Sequence, residues 1–343
     1  MEGCLMKEIK VALIGFGGIA RSHNNAYHAL KEEGYPISLV AVCDRNAEQF
    51  TATKTINLGS DFLPLPEGIH TYTDIDDLIA KEDFDMADIC LPSFLHKDFA
   101  TKLLRAGKHV LCEKPMALCS ADCEEMISVA KASGKKLMVG QCLRFDPFYL
   151  FLKDCVEKKT FGEIKHLRME RLSEYPTWGE DKWFDDSEKC GGAILDTHIH
   201  DIDMARFLLG QPNSVSSIGY VKPSHCQLVN SRLFYDNLTV IADVAWDEAR
   251  PVPFQAGFHA KFDDASVVFD GEKLLVYPNG GEVYTQKIEN KDRIAEEIRL
   301  FGDWISSGST ENLVNTPESA CASVKLIESL RKSVAQNGAL VSL

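Results

Sequence analysis

Residues 10–20 read KVALIGFGGIA. The first part is a short apolar, β-branched run of the kind that forms a buried strand. Ile19, Ala26 and Leu30 then recur at helical spacing as far as Gly34. Between strand and helix stands Gly15-Phe16-Gly17-Gly18-Ile19-Ala20, of the form GxGxxA. Gly15 permits a tight turn, Gly17 leaves the backbone open to close approach, and Ala20 lets the helix lie tight against the strand. The N–H groups that open the helix are then free to bind an anion. Strand, glycine turn and helix in this order are what a dinucleotide pyrophosphate site needs, with a Gly-rich strand-to-helix turn that binds no nucleotide as the alternative.

The rhythm continues outward. Residues 37–43 (ISLVAVC), 87–91, 109–112 and 136–140 are strand candidates, and 73–83, 96–106 and 121–133 are helical. Such alternation implies βαβ units around a parallel sheet, with the ligand crevice at the carboxyl ends of its strands. Asp44 closes the second strand, near the offset of about 20 residues at which a carboxylate meets the adenosine ribose. It favours NAD, because it would repel a 2′-phosphate. Arg45 beside it could meet that phosphate or stack on adenine, so NADP stays open.

After Arg144 the pattern changes. Residues 164–171 are strand-like and 191–209 read as one helix. Strand candidates then follow at 214–221, 232–236, 239–246, 255–262, 266–269 and 273–277, and two helices at about 292–306 and 317–336. The expected fold is an α/β Rossmann domain, residues 1–143, followed by an α+β domain, residues 144–343, with a large, mostly antiparallel open sheet. The last helix is expected to pack back on the first domain.

Composition narrows the function. A chain of 343 residues fits two domains, and 45% apolar with 26% charged residues is ordinary for a globular protein. A net charge of −14 argues against nucleic-acid binding. The 11 cysteines form no CxxC and read as buried, reduced thiols, which suits the cytoplasm and supplies no metal set. No apolar h-region opens the chain and no run of about 18 apolar residues occurs, so neither a signal peptide nor a membrane span is expected.

Further motifs are DICLPSFLH at 88–96, EKP at 113–115, VGQCLRF at 139–145 and GGAILDTHIHDIDMARFLLG at 191–210. On the residues alone, Lys114 beside Glu113 reads as a surface ion pair. Asp196 and His200, four apart, share a helical face with Asp203 and read as a polar stripe. His198 is two positions from His200 and points elsewhere. The two should not converge on a metal, and His198 is expected to be structural or at a subunit contact.

With the glycine turn and VCDR at 42–45, these motifs resemble the glucose–fructose oxidoreductase / inositol dehydrogenase / MocA family along almost the whole chain. The resemblance implies NAD(P)-dependent hydride transfer to or from a secondary hydroxyl or carbonyl of a sugar, cyclitol or similar polyol. It makes Lys114 the contact to the reacting hydroxyl, His200 the acid/base and Asp196 the third catalytic residue, which binds substrate hydroxyls or orients the site. It assigns Gly15, Phe16, Gly17, Gly18, Ile19, Asp44, Arg45, Leu91, Pro92, Ser93, His96, Glu113, Lys114 and Arg144 to the cofactor. Arg144 and Trp183 are added to the substrate pocket, although ordinary packing suits Trp183 equally.

The resemblance also implies a homodimer or homotetramer through the second sheet. Gln141-Cys142-Leu143 departs from the family's run before RF, and the loop at 57–68 is longer than usual. Two alternatives share the resemblance: an NAD-dependent glycoside hydrolase and a non-enzymatic NAD(P)-binding regulator.

Overall fold

The structure is a computed structural model and describes residues 7–51, 62–222, 225–289, 291–308 and 313–343. The chain divides into two compact units. The first comprises Met1–Ala117, Ala121–Cys142 and Asp292–Cys321, and the second Leu118–Ser120, Leu143–Lys291 and Ala322–Leu343.

The first unit carries strands β1 (Ile9–Ile14), β2 (Ile37–Cys43), β3 (His70–Tyr72), β4 (Met86–Ile89), β5 (His109–Glu113) and β6 (Leu137–Gly140). Among the described residues they form one parallel sheet in the order β3-β2-β1-β4-β5-β6. This is the doubly wound arrangement, with its switch point between β1 and β4. Helices α1 (Gly18–Glu32), α2 (Ile75–Lys81), α3 (His96–Arg105) and α4 (Ser120–Ser133) follow strands in turn. The continuous apolar runs of β1, β4 and β6 follow from burial on both faces. β3 was not expected from the sequence, because two of its three residues are exposed. Residues 57–61 of the loop expected to be long lie outside the described residues.

The second unit is built on a nine-stranded sheet, counted among the described residues. α5 (Pro147–Lys158) precedes β7 (Ile164–Leu172), and three helical pieces follow: α6 (Ser187–Cys190), α7 (Ala193–Asp196) and α8 (Ile199–Leu209). Then come β8 (Ser214–Lys222), β9 (His225–Phe234), β10 (Thr239–Ala245), β11 (Gln255–Phe262), β12 (Ala265–Phe269), β13 (Leu274–Pro278) and β14 (Tyr284–Thr285). After α9 (Arg293–Ser307) and α10 (Pro317–Ala335), β15 (Val341–Ser342) closes the chain.

The sheet order is β14-β13-β12-β11-β7-β10-β9-β8-β15, antiparallel except where β7 meets β10. One face is core, with Leu167, Met169, Val229, Leu233, Val240, Ala242, Phe258 and Val267 buried. Arg168, Asp243 and His259 alternate with them toward the other face, as strand period 2 requires.

Three expectations are corrected. Residues 191–209 are not one helix: Gly191 and Gly192 take φ of 76° and 72°, where the right-handed helix cannot continue. The chain turns again at Ala193, but the N–H of His198 reaches back five residues to Ala193 O, and α8 starts afresh at Ile199. α5 is a helix that residue periodicity did not bring out, although Asp146 caps it and Pro147 opens it. β9 starts at His225 rather than residue 232, because a core-facing Ser231 interrupts the apolar alternation.

Among the described residues no helix is long and apolar enough to cross a membrane.

Candidate active site

In the first unit, four strands deliver the sequence-predicted residues to one edge of the sheet. β1 ends at Gly15–Ile19, β2 at Asp44, β4 at Leu91–Ser93 and β5 at Glu113 and Lys114. In a parallel sheet this carboxyl edge is where ligands bind.

The glycine turn is built for a ligand. Gly15 has φ +85°, and a Cβ there would lie 2.7 Å from Cys90 O, so no other residue fits. Gly17 is different: its φ is an ordinary −80°, and a Cβ would meet nothing within 4 Å. The space beside Gly17 is therefore left open by the protein itself. α1 begins at Gly18 with no side-chain cap and no acidic residue in its first turn, so its first N–H groups face that space. These features fit the pyrophosphate of NAD(P).

Asp44 Oδ2 accepts from Phe16 N–H at 2.7 Å, and Oδ1 from Asn46 N–H at 2.8 Å. Two backbone donors hold the carboxylate at the turn, and its remaining lone pairs suit a ribose diol. Arg45 next to it is exposed. The Phe16 side chain is buried, with the Arg21 guanidinium 4.8 Å above its ring, so Phe16 offers a ligand its backbone rather than its ring.

His96 is fully buried. Its Nδ1 lies 2.7 Å from Pro115 O and its Nε2 2.8 Å from Leu91 O, which ties the β4 and β5 loops together. Burial pushes its imidazole below the ordinary value. It braces the loops on either side and is too enclosed to touch a ligand. Glu113 turns inward as well: Oε1 lies 3.2 Å from His23 Nε2, and Oε2 accepts from Lys114 N–H at 3.1 Å. Lys114 is half-buried at the end of β5.

In the second unit, Asp196 and His200 are partly exposed, while Thr197, His198 and Ile199 between them are buried. The two polar side chains thus come from the outward positions of the irregular turn. Trp246 Nε1 donates to Thr197 Oγ1, and Thr197 Oγ1 donates to Asp196 Oδ2 at 3.4 Å. Trp183 stacks on Phe184 with ring centroids 3.9 Å apart, and Trp178 meets Phe184 at 6.0 Å. These rings form an aromatic wall in the loop ahead of the two Gly residues. Packing against Phe184 is the contact that the structure gives Trp183.

Two neighbours have other duties. Asp203 does not join the polar stripe: it is 1% exposed and paired with Arg144, whose Nε and Nη2 lie 2.8 and 2.6 Å from its oxygens. Arg144 is itself 3% exposed, so its charge is engaged within the second unit. His198 points into the core, with Nε2 2.8 Å from Ser231 Oγ, and burial together with Arg171 pushes its imidazole down to about 3. A neutral, enclosed imidazole matches the structural reading of His198.

Sequence reasoning missed His23, Tyr27, Asp88 and Glu297. His23, on α1, lies 2.8 Å from Asp88 Oδ2, and the Tyr27 hydroxyl donates to the same oxygen at 2.8 Å. Asp88 was visible as a lone carboxylate inside the apolar run MADIC, a position that demands a buried partner. Its partners lie about 60 residues away in sequence, and nothing local points to them.

The family described as "Oxidoreductase family, NAD-binding Rossmann fold" (GFO_IDH_MocA) matches residues 9–141, and the GFO/IDH/MocA C-terminal domain matches residues 149–275. An inositol 2-dehydrogenase of Rhizobium meliloti is 31% identical over 69% of this chain and 66% of its own. A Bacillus subtilis scyllo-inositol 2-dehydrogenase (NADP(+)) is 26% identical over 86% of this chain and 89% of its own. The chain spans 54% and 66% of the length of two curated relatives that it matches. A crystal structure of an Agrobacterium radiobacter oxidoreductase with NAD+, L-tartaric acid and magnesium covers 98% of each chain. Its TM-score is 0.81 at 22% identity, which establishes the shared fold.

Proposed function

Because this chain belongs to the GFO/IDH/MocA oxidoreductase family, with its NAD-binding Rossmann domain, we propose that it transfers a hydride between a nicotinamide cofactor and a secondary hydroxyl or carbonyl of a sugar, cyclitol or similar polyol. The observation that carries the reading is the open space beside Gly17, faced by an uncapped helix start, on the same sheet edge that presents Lys114. The names of the two inositol dehydrogenases support a cyclitol-like substrate.

NAD(P), when bound, supplies the hydride acceptor or donor. Gly15–Ile19 receive the pyrophosphate and Asp44 the adenosine ribose; NAD is the preferred form and NADP the alternative. Leu91, Pro92 and Ser93, just past the end of β4, would line the cofactor. Lys114 donates to the reacting oxygen and stabilises developing alkoxide charge. His200 exchanges the hydroxyl proton, a task suited to imidazole near neutral pH. Asp196 holds neighbouring hydroxyls, and the aromatic wall around Trp183 receives an apolar ring face. Arg144 and His96 act through the groups that they brace.

The exposed Ile218 and Tyr220 on β8 and Tyr277 on β13 support association through the second sheet, which light scattering would test. A cytoplasmic, soluble enzyme is part of the same proposal.

The test is a screen of myo-inositol, scyllo-inositol and aldoses with NAD+ and NADP+, following nicotinamide absorbance. Lys114→Ala and His200→Ala should each lower kcat/KM by about 10²–10⁴. Full turnover in both variants would overturn the roles. Release of an aryl leaving group from a glycoside without net cofactor reduction would point to the hydrolase instead, and cofactor binding without turnover on any of these compounds to a regulator.

A further inference from the structure

Beneath the turn that carries Lys114 lies a buried ionic cluster in the first unit. His23 is 0% exposed, and each of its ring nitrogens faces a carboxylate: Nδ1 at 2.8 Å from Asp88 Oδ2, Nε2 at 3.2 Å from Glu113 Oε1. An imidazole that satisfies both donates from both nitrogens and carries a positive charge. Burial alone would push His23 down, yet the Asp88 carboxylate holds it well above its ordinary value. Tyr27 pins Asp88 from a second side. Glu113 hands the restraint on, because its other oxygen holds the backbone N–H of Lys114. A Cβ at Gly140 would come within 2.9 Å of Glu113 Oε1 and 3.1 Å of Glu297 Oε1, so β6 makes room for both carboxyl groups by having no side chain.

His23, Asp88 and Cys90 also lie close enough together to suggest a metal site. Two features argue against it. The 2.8 Å separation of Nδ1 and Oδ2 is that of a hydrogen bond, whereas two ligands of one tetrahedral ion stand about 3.3 Å apart. The Tyr27 hydroxyl also donates to the same Asp88 oxygen at 2.8 Å, so both lone pairs of Oδ2 are taken by hydrogen bonds.

We propose that His23 is a positioning residue: clamped as an imidazolium between Asp88 and Glu113, it fixes Glu113 and, through it, the main chain and charge surroundings of Lys114. The proposal deepens the reading of Lys114 as the amine at the reacting oxygen and rests on it for its catalytic meaning. The charged and titratable groups around Glu113 and Lys114 are His23 from α1, Asp88 from β4 and Cys90 after it, His96 from α3, Cys112 in β5, Cys142 after β6, and Arg293 and Glu297 from α9. Burial would raise the Glu113 carboxyl, but the His23 hydrogen bond and charge, then Lys114, bring it below the ordinary carboxylate range. Removing His23 leaves that negative charge less compensated next to Lys114.

The test needs no substrate. Trace labelling with acetic anhydride at pH 8, read by mass spectrometry, reports how much of Lys114 is the free amine, with exposed Lys31 as the internal standard. His23→Asn keeps a donor where Nδ1 stands and loses the one facing Glu113; His23→Gln does the reverse. His23→Asn should slow labelling of Lys114 about threefold, and His23→Gln should restore part of the rate. Glu113→Gln should speed labelling, and His23→Asn/Glu113→Gln should match Glu113→Gln alone, because the effect passes through Glu113.

An unchanged rate in His23→Asn would overturn the clamp. So would a double variant that is slower than Glu113→Gln by the same factor as His23→Asn is slower than wild type. If His23→Asn does not fold, His23→Gln, which loses the imidazolium charge but keeps the donor to Glu113, makes the comparison for the charge alone, with and without Glu113→Gln. Full turnover in Lys114→Ala would end the catalytic reading and leave the labelling result standing, so the two failures are distinct.

Discussion

Arg144 gives its guanidinium to Asp203 in a two-point pair, with Ser323 Oγ donating to the same carboxylate. Both side chains are nearly inaccessible, so removal of one strands the charge of the other. Arg144→Met is expected to cost about 3–5 kcal/mol of stability. Arg144→Met with Asp203→Leu should recover a large part, because a matched apolar pair has no charge to bury. Urea denaturation of both variants checks this. A single variant as stable as wild type would show that the pair contributes nothing.

The two glycines of the turn should fail in different ways. Gly15→Ala brings a side chain against Cys90 O at positive φ and should destabilise the fold by about 1–3 kcal/mol. Gly17→Ala adds a Cβ that meets nothing within 4 Å in the protein, so its unfolding midpoint should stay within about 2 °C of wild type. Its affinity for NAD+ should nonetheless fall at least about tenfold, or 1.4 kcal/mol, in a fluorescence titration. Undiminished affinity would mean that no phosphate approaches that backbone.

Asp44→Ser tests the ribose assignment. The shorter side chain removes the carboxylate that repels a 2′-phosphate and leaves Arg45 available to it. The ratio of NADP+ to NAD+ affinity should rise by at least about tenfold, or 1.4 kcal/mol. An unchanged ratio in paired titrations would take Asp44 away from the adenosine.

Glu297 makes stability depend on pH. Burial first, then the neighbouring Glu113 charge, raise its carboxyl well above the ordinary range, and Oε1 has no hydrogen-bond partner among the described residues. Its folded form therefore keeps a proton that the unfolded chain releases above about pH 4.5. This contribution to stability is fully present below that pH and is lost as pH rises toward the folded value. Glu297→Gln carries no such proton. It should gain in unfolding temperature relative to wild type as pH rises from 5 to 8, by at least about 2 °C. A difference independent of pH would show that Glu297 stays ionised.

The site was legible where chemistry is local. The glycine turn and Asp44 declare themselves within a few residues, because backbone freedom and strand ends are short-range properties, whereas Lys114 on its own reads as a surface ion pair and only the family resemblance singles it out. Asp196 and His200 were expected on one face of a single helix, and the structure modifies that picture. Both do face outward, but the helical stretch starts only at Ala193 and is interrupted between Asp196 and Ile199, where the His198 N–H reaches back to Ala193 O. What stayed hidden are partnerships across the sequence: His23 with Asp88 and Glu113, and Arg144 with Asp203. A polar residue in an apolar segment announces that a partner exists, and only the fold says which. Ser231 shows the converse, since a polar core residue disguised half of a long strand.

The placement of α9 bears on how the chain comes to be folded at all. Ile294, Ile298 and Phe301 share one core with Leu13, Ala26 and Leu30 of the first unit. Yet the ribosome makes them only after the intervening segment from Leu143 to Lys291. At 5–20 residues per second, the nucleotide-binding unit waits on the order of ten seconds with apolar surface uncovered. Its early form is thus the stage of biogenesis most exposed to aggregation, and a fragment ending at Cys142 should need residues 292–321 supplied in trans to stay in solution.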